Sequence, residues 1–286
     1  MLPDILSVTL RAVSFIAVLQ AAGVALFLAQ SGVRLLASAQ GIRRLGRWSA
    51  AVGLTALLLH YLLEAARLAG SFSGLVDLSL QSMVLSSTTP LVLGVRVLGL
   101  LAIATSLREE KQGAHGTGVF GAGLLAVSFA LTGHTATHPV RWLLAPLLVL
   151  HVLVVAFWFG ALWPLLLVAR QETVARTASV VGAFSRAAGW VVPGLFLAGL
   201  ALVLQLVPTW AALVTPYGLL LLGKAALFAL LMGLAVLNKW RLGPALANGD
   251  SGALVAFERS VVAEFVLICL VLSMTAVMTT FHSPYG

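Results

Sequence analysis

The sequence predicts an all-α fold, a polytopic membrane bundle of about eight transmembrane helices with both termini outside, and three observations carry that expectation. Of the 286 residues, 60% are hydrophobic and 9% charged, with a mean hydropathy of +1.06, values that no water-soluble domain of this size shows. Apolar stretches recur from end to end, each long enough for the roughly 20-residue helix that a hydrocarbon core of about 30 Å requires. Runs such as Leu143 to Val168 are apolar all round, whereas the strands of a closed β-barrel alternate in polarity over about ten residues. The whole chain, 1–286, reads as a single integral membrane domain with no hydrophilic domain attached.

Hydropathy and turn signals place the helices near 6–30, 48–70, 90–107, 117–134, 142–168, 184–206, 217–238 and 257–281. The first has Asp4 and no basic segment before it, so it reads as a retained helix rather than a cleaved leader. The third has a start signal in Ser87, Thr88 and Thr89 with Pro90, because hydroxyls cap and proline suits a first turn that needs no amide partner. Thr215 and Pro216 give the same signal for the seventh. Basic residues then set orientation: Arg34, Arg43, Arg44 and Arg47 lie in one loop, Arg170, Arg176 and Arg186 in another, and Lys239, Arg241 and Arg259 in a third. Loops of this kind stay in the cytoplasm. The loop with Arg108, Glu109, Glu110 and Lys111 votes weakly but shares their side by parity. Both termini are therefore expected outside, in the periplasm of a bacterium with an inner (cytoplasmic) membrane. The outward loops 71–89, 135–141 and 207–216 hold Asp77, His138 and Arg141 as their strongly polar members.

The net charge of +8 does not point to nucleic acid, because the arginines are scattered through short loops and no basic domain exists to hold a duplex. The single cysteine, Cys269, excludes an intramolecular disulfide framework. No nucleophile with its base, P-loop or dinucleotide fingerprint is present, so the chain is not expected to be an enzyme.

A titratable side chain inside a bilayer is costly unless paired or hydrated, which makes each one a functional candidate. With the orientation above, five of the six histidines fall in the outer half: His60, His134, His138, His151 and His282. His60, Glu64 and Arg67 follow i, i+4, i+7 spacing and stack on one helix face. His151 lies at a depth close to that of His60, so the two are expected to be able to meet. Met274, Met278 and His282 form a second stripe at i, i+4, i+8, and thioether with imidazole is the donor set that copper prefers, Cu(I) above all. Arg11, Arg96 and Lys224 also lie in the outer half, and Glu264 in the inner half. Each has a plainer role as well: interhelical hydrogen bonding for a lone histidine, packing for the methionines, and ion pairing for Glu64 with Arg67 or Glu264 with Lys224.

The run His151-Val-Leu-Val-Val-Ala-Phe-Trp158-Phe-Gly160-Ala-Leu-Trp-Pro resembles the histidine-led, Trp-x-Gly helix of the copper resistance protein D (CopD) family. Phe184-Ser185-Arg-Ala-Ala, Thr215-Pro-Tyr217-Gly218-Leu-Leu-Leu-Leu-Gly-Lys224, Leu237-Asn238-Lys239 and Val262-Ala-Glu264 follow at similar distances, and Leu131-Thr-Gly133-His134 is similar to the family's preceding Gly-His ending. The CopD-like region so defined is 131–281, with 1–130 agreeing in topology. The resemblance implies an integral membrane protein that handles copper with periplasmic copper-binding partners and moves it across the inner membrane. It carries the polar signature over to His134, His151, Tyr217, Lys224, Asn238 and Glu264. This chain departs in having no fused periplasmic copper-binding domain and no Met- or His-rich tail, which implies copper supplied by a separate partner.

Three functions follow. In a copper permease, His134, His138, Met278 and His282 would capture the metal and His60, His151 and Met274 would pass it inward. Neutral imidazole is the ligand, so transport should weaken below about pH 6.5. In a membrane cytochrome, His60 and His151 would instead hold haem b between facing helices. The third function is assembly of a copper oxidase. Glu64 and Glu264 are the carboxylates that would relay protons in a transporter.

Overall fold

Hydropathy marks the part of a helix that lipid immerses, and the helices here run on past it. The computed structural model describes residues 2–108, 114–206 and 213–281, less the side chains of Ala114, His134, Thr135 and Leu206. Each expected helix is present: α1 (Leu2–Ser31), α2 (Ala39–Ala69), α4 (Thr89–Ser106), α5 (Ala114–Ala130), α7 (Arg141–Gln171), α8 (Val174–Leu206), α9 (Pro216–Leu237) and α11 (Ser251–Phe281). The starts of α2 and α8 lie well before the expected 48 and 184. Backbone hydrogen bonding continues through Arg43, Arg44 and Arg47, or through Arg176, whether or not the side chains are apolar.

Short elements fill the connections. A 3₁₀ turn (Phe72–Val76) and α3 (Leu78–Ser86) occupy the connection between α2 and α4, α6 (His134–Thr137) precedes α7, and a π turn (Asn238–Leu242) with α10 (Gly243–Ala247) follows α9. No strand occurs among the described residues. Seven described helices are long and apolar enough to cross a membrane. The eighth, α5, has 17 residues and rises about 25 Å, a little short of the hydrocarbon core. The chain is a polytopic all-α membrane bundle.

The expected caps are partly as read. Thr215 Oγ1 accepts from the Gly218 amide at 3.2 Å. At α4 the cap comes from Ser87, whose Oγ accepts from the Thr89 amide at 3.1 Å, and Thr88 makes no side-chain cap. Asp77 caps α3 through the amides of Ser79 and Leu80 and takes the Ser79 hydroxyl at 2.6 Å. The Ser79 hydroxyl and then those amides hold its carboxyl below the usual carboxylate range.

α1 and α7 are buried over most of their length and form the axis of the bundle, while α8 and α9 are the most exposed of the spans. α1 packs on α2, α5, α7 and α11, and α2 and α7 themselves barely touch. The axis depends on glycine. Gly23 and Gly160 meet backbone to backbone, and a Cβ on either would overlap the other's Cα. Gln20 Nε2 donates to the Gly160 carbonyl at 3.0 Å inside this crossing. Gly99 and Gly121 repeat the device between α4 and α5, each lying against the other's carbonyl oxygen. Lipid gives no hydrophobic drive for helices to associate, so small residues that admit close van der Waals approach supply it.

Candidate functional site

Two groups of polar side chains face the end of the bundle that carries both chain ends, where Arg11 Nη1 on α1 donates to the Thr279 carbonyl on α11 at 2.9 Å. The first group surrounds His60. Arg11 Nε donates to His60 Nε2 at 3.3 Å, and the Ser7 hydroxyl lies 3.2 Å from the same nitrogen. A guanidinium can only donate, so Nε2 is the accepting nitrogen and the ring proton resides on Nδ1. The lone pair a metal would need is already engaged. One turn on, Arg67 Nη1 meets Glu64 at 3.2 Å, and Arg67 Nε approaches Asp4 at 3.9 Å. Arg96 on α4 donates to Ser128 at 3.1 Å and stands 4.9 Å over the Phe129 ring. Arg11, Arg67 and Arg96 all lie within electrostatic reach of His60. The i, i+4, i+7 stripe is real, and it forms part of a mostly cationic hydrogen-bonded cluster.

The second group surrounds His151. Its ring faces α8, where a Cβ on Gly199 would come within 3.7 Å of Cε1 and 3.8 Å of Nδ1. Nδ1 is buried and has no hydrogen-bond partner among the described residues. Lys224 of α9 lies within electrostatic reach, and the adjacent Gly223 receives the Met274 methyl from α11. Met278, one turn further, is buried at 8% exposure. The Met274 thioether thus packs on α9 next to Lys224, and the imidazole lies against α8 within electrostatic reach of that lysine.

Farther from that end, the Trp-x-Gly run explains itself. Trp158 Nε1 donates to Glu264 Oε2 at 3.0 Å, and Asn238 Nδ2 donates to Glu264 Oε1 at 2.5 Å. Gly160 is the point where α1 crosses. Glu264 is 2% exposed, and among the described residues no cation pairs with it, so the alternative of an ion pair with Lys224 is not formed. Tyr217 is buried at the start of α9. Lys239 Nζ lies against Gly189 of α8.

Of the remaining expected ligands, only His138 has its side chain among the described residues. His138 Nδ1 accepts from the Val140 amide at 3.3 Å, closing the turn between α6 and α7. His134 begins α6, with its side chain outside the described residues, as are all of His282 and the loop residues Glu109, Glu110 and Lys111. Among the described residues no three of His, Cys, Asp and Glu converge. The residues do not fit a paired-histidine haem site: Arg11 holds Nε2 of His60, while the His151 ring faces Gly199 of α8. Sequence reasoning missed Ser7, Gly199 and Gly223, which carry no chemical signature of their own and matter only by position.

The protein-family models match at both ends of the chain. Residues 1–140 match the model described as copper resistance protein D-like, N-terminal domain, and 178–278 match copper resistance protein D. The chain belongs to the copper resistance protein D family. It is also similar to a copper resistance protein D of Pseudomonas syringae pv. tomato, 29% identical over 260 residues that cover 85% of this chain and 84% of that one. No solved structure matches. The family match includes the first 140 residues, where the motifs had indicated only a shared topology. The run from His151 to Pro164 falls between the two matched segments.

Proposed function

We propose that this protein carries copper across a bacterial inner membrane, accepting it at the outer face from a periplasmic copper-binding protein. Its membership of a copper-resistance family and its bundle of membrane-spanning helices support a copper-handling membrane protein. The observation that carries the finer reading is the unpartnered Nδ1 of His151, buried against Gly199 of α8 with Lys224 of α9 in electrostatic reach, while the Met274 methyl rests on the adjoining Gly223. A borderline nitrogen and a soft sulfur with little else to bind suit Cu(I) in transit, because a conducting site must hold its ion weakly enough to release it. In this reading His134, His138, Met278 and His282 capture the metal, with both termini outward. His60 serves the architecture, since metal binding there would require Arg11 to withdraw. No catalysis is part of this reading.

The test is Cu(I) uptake into proteoliposomes containing wild type, His151→Ala or Met274→Leu. Each variant is expected to slow uptake about tenfold or more, in line with the cost of disturbing a metal site. Uptake at the wild-type rate in both would refute the route.

A further inference from the structure

Glu264 is left without a task by the copper route, yet its surroundings are built around it. α7 contributes the Trp158 N–H, the π turn contributes the Asn238 amide, and α11 itself carries Ser260 one turn earlier on the same face. Two oxygens here have no partner among the described residues: Asn238 Oδ1 and Ser260 Oγ, the latter on a residue only 6% exposed. Orphaned buried acceptors are rare and call for a reason. Asn238 also opens the π turn, a local widening of the helix that recurs at functional sites.

We propose that Glu264, Asn238 and Ser260 form a proton-binding site in which the carboxyl takes up and releases one proton. In the ionised state the carboxylate accepts from Trp158 Nε1 and Asn238 Nδ2, as observed. When a proton adds to Oε1, the acid becomes a donor and needs an acceptor in the same direction. A half-turn of the Asn238 amide presents Oδ1 there, because the two ends of the group have nearly the same shape. Asn238 thus satisfies both states, and the unpartnered Ser260 hydroxyl one turn away can accept a hydrogen bond from the protonated acid or donate one to the carboxylate. Two N–H donors directed at the carboxylate favour a proton over a metal cation such as Na⁺, which those same donors would repel.

Among the described residues no charged group pairs with Glu264, neither Lys224 of α9, nor Arg241 of the π turn, nor His151 of α7, nor Glu258 and Arg259 of α11 itself. Lys239 Nζ lies against Gly189, Arg170 pairs with Glu258 at 2.9 Å, and Arg186 Nη1 lies beside Gly182. α1, packed on α11, carries only Asp4 and Arg11, both at the far end of the bundle, and α10 carries no charge. Protonation of Glu264 is therefore not dictated by a neighbouring charge.

The experiment is infrared spectroscopy of the full-length protein in lipid nanodiscs across a pH series, following the C=O stretch of a buried carboxylic acid. Wild type should show a band that grows as pH falls, absent in Glu264→Gln and displaced in frequency in Asn238→Ala, whereas Glu258→Gln should keep it. A wild-type spectrum identical to that of Glu264→Gln at every pH, or suppression of the band by Na⁺ at fixed pH, would overturn the proposal. Its role as a coupling site rests on the transport reading and is read separately, as proton flux accompanying copper flux in proteoliposomes. Copper flux with no proton flux in wild type would sink the coupling while an intact infrared band upheld the site. Absence of copper flux beside an intact band would instead count against the transport reading.

Discussion

His60 and His151 sit toward the same end of the bundle, and they differ in what their nitrogens do. Around His60 the neighbours are tied by charge and hydrogen bonds: Arg11 bridges α1, α2 and α11, Arg67 bonds Glu64 and pairs with Asp4 at 3.9 Å through an Nε that makes no hydrogen bond among the described residues, and Arg96 reaches Ser128. Around His151 the ring meets Gly199 of α8 with Lys224 in electrostatic reach, and Nδ1 has no partner among the described residues. An imidazole in a membrane helix is a structural fastener when an arginine holds its lone pair and a candidate ligand when nothing does. Residue type and depth alone do not separate the two cases.

The largest effect is expected where the two regions are joined. Gly160→Val would drive a branched side chain into the Gly23 backbone, and no rotamer relieves a clash with main chain. Such overpacking costs about 3 kcal/mol or more, and the expected outcome is loss of folded protein, seen as aggregation in detergent size-exclusion chromatography. A monodisperse variant would mean that the α1–α7 crossing can open, and the two histidine regions would then be less fixed than described.

The histidines themselves give the next contrast. His151→Ala is expected to lower bound Cu(I), measured by elemental analysis of the purified protein, by about tenfold while leaving the melting temperature near that of wild type. His60→Ala is expected to do the reverse, because removing the acceptor leaves the Arg11 guanidinium short of a partner at a cost of about 1–3 kcal/mol. Copper lost in His60→Ala and kept in His151→Ala would invert the comparison.

How much of this was legible in the sequence depends on distance along the chain. The eight long helices were legible because immersion in lipid demands apolar length, and the Thr215 cap because its partner is three residues away. α3 and the π turn were not, since an apolar window is longer than either. The His60, Glu64 and Arg67 face follows from helical period. Its meaning does not, because Ser7, Arg11 and Thr279 reach it from other helices. Likewise Trp158 and Glu264 were each singled out, but the bond between them spans 106 positions, and only the packing of α7 on α11 makes it.

A smaller effect separates the Glu264 group from both histidines. Trp158→Phe keeps an aromatic ring in place, though a smaller one, removes the N–H that Glu264 Oε2 accepts, and leaves a buried carboxylate oxygen short of a donor. The expected loss is about 1–3 kcal/mol, read as a lower thermal midpoint with copper content unchanged. If copper content fell with it, the Glu264 group and the His151 region would be one site rather than two.

The smallest effect is at the opposite end of the bundle, where Glu172 ties the α1–α2 loop to the α7–α8 junction. Its Oε1 accepts from the Leu36 amide at 2.8 Å, the Ser38 amide at 3.0 Å and the Ser38 hydroxyl at 2.7 Å, and Oε2 takes Arg176 at 3.3 Å. Burial pushes the carboxyl up, but the Ser38 and Leu36 amides, the Ser38 hydroxyl and Arg176 outweigh it and hold the group down at about 2. A carboxyl with a lower pKa in the folded state than in the unfolded one adds stability above the unfolded value. That contribution is complete above about pH 4.5 and is lost as pH falls toward 2. Wild type should therefore lose thermal stability over this interval more steeply than Glu172→Gln, which cannot ionise, and the two melting curves should draw together at the acid end. Parallel curves would show that the loop is held by its helix ends alone, leaving the opposite end of the bundle without the charge-based fastening seen around His60.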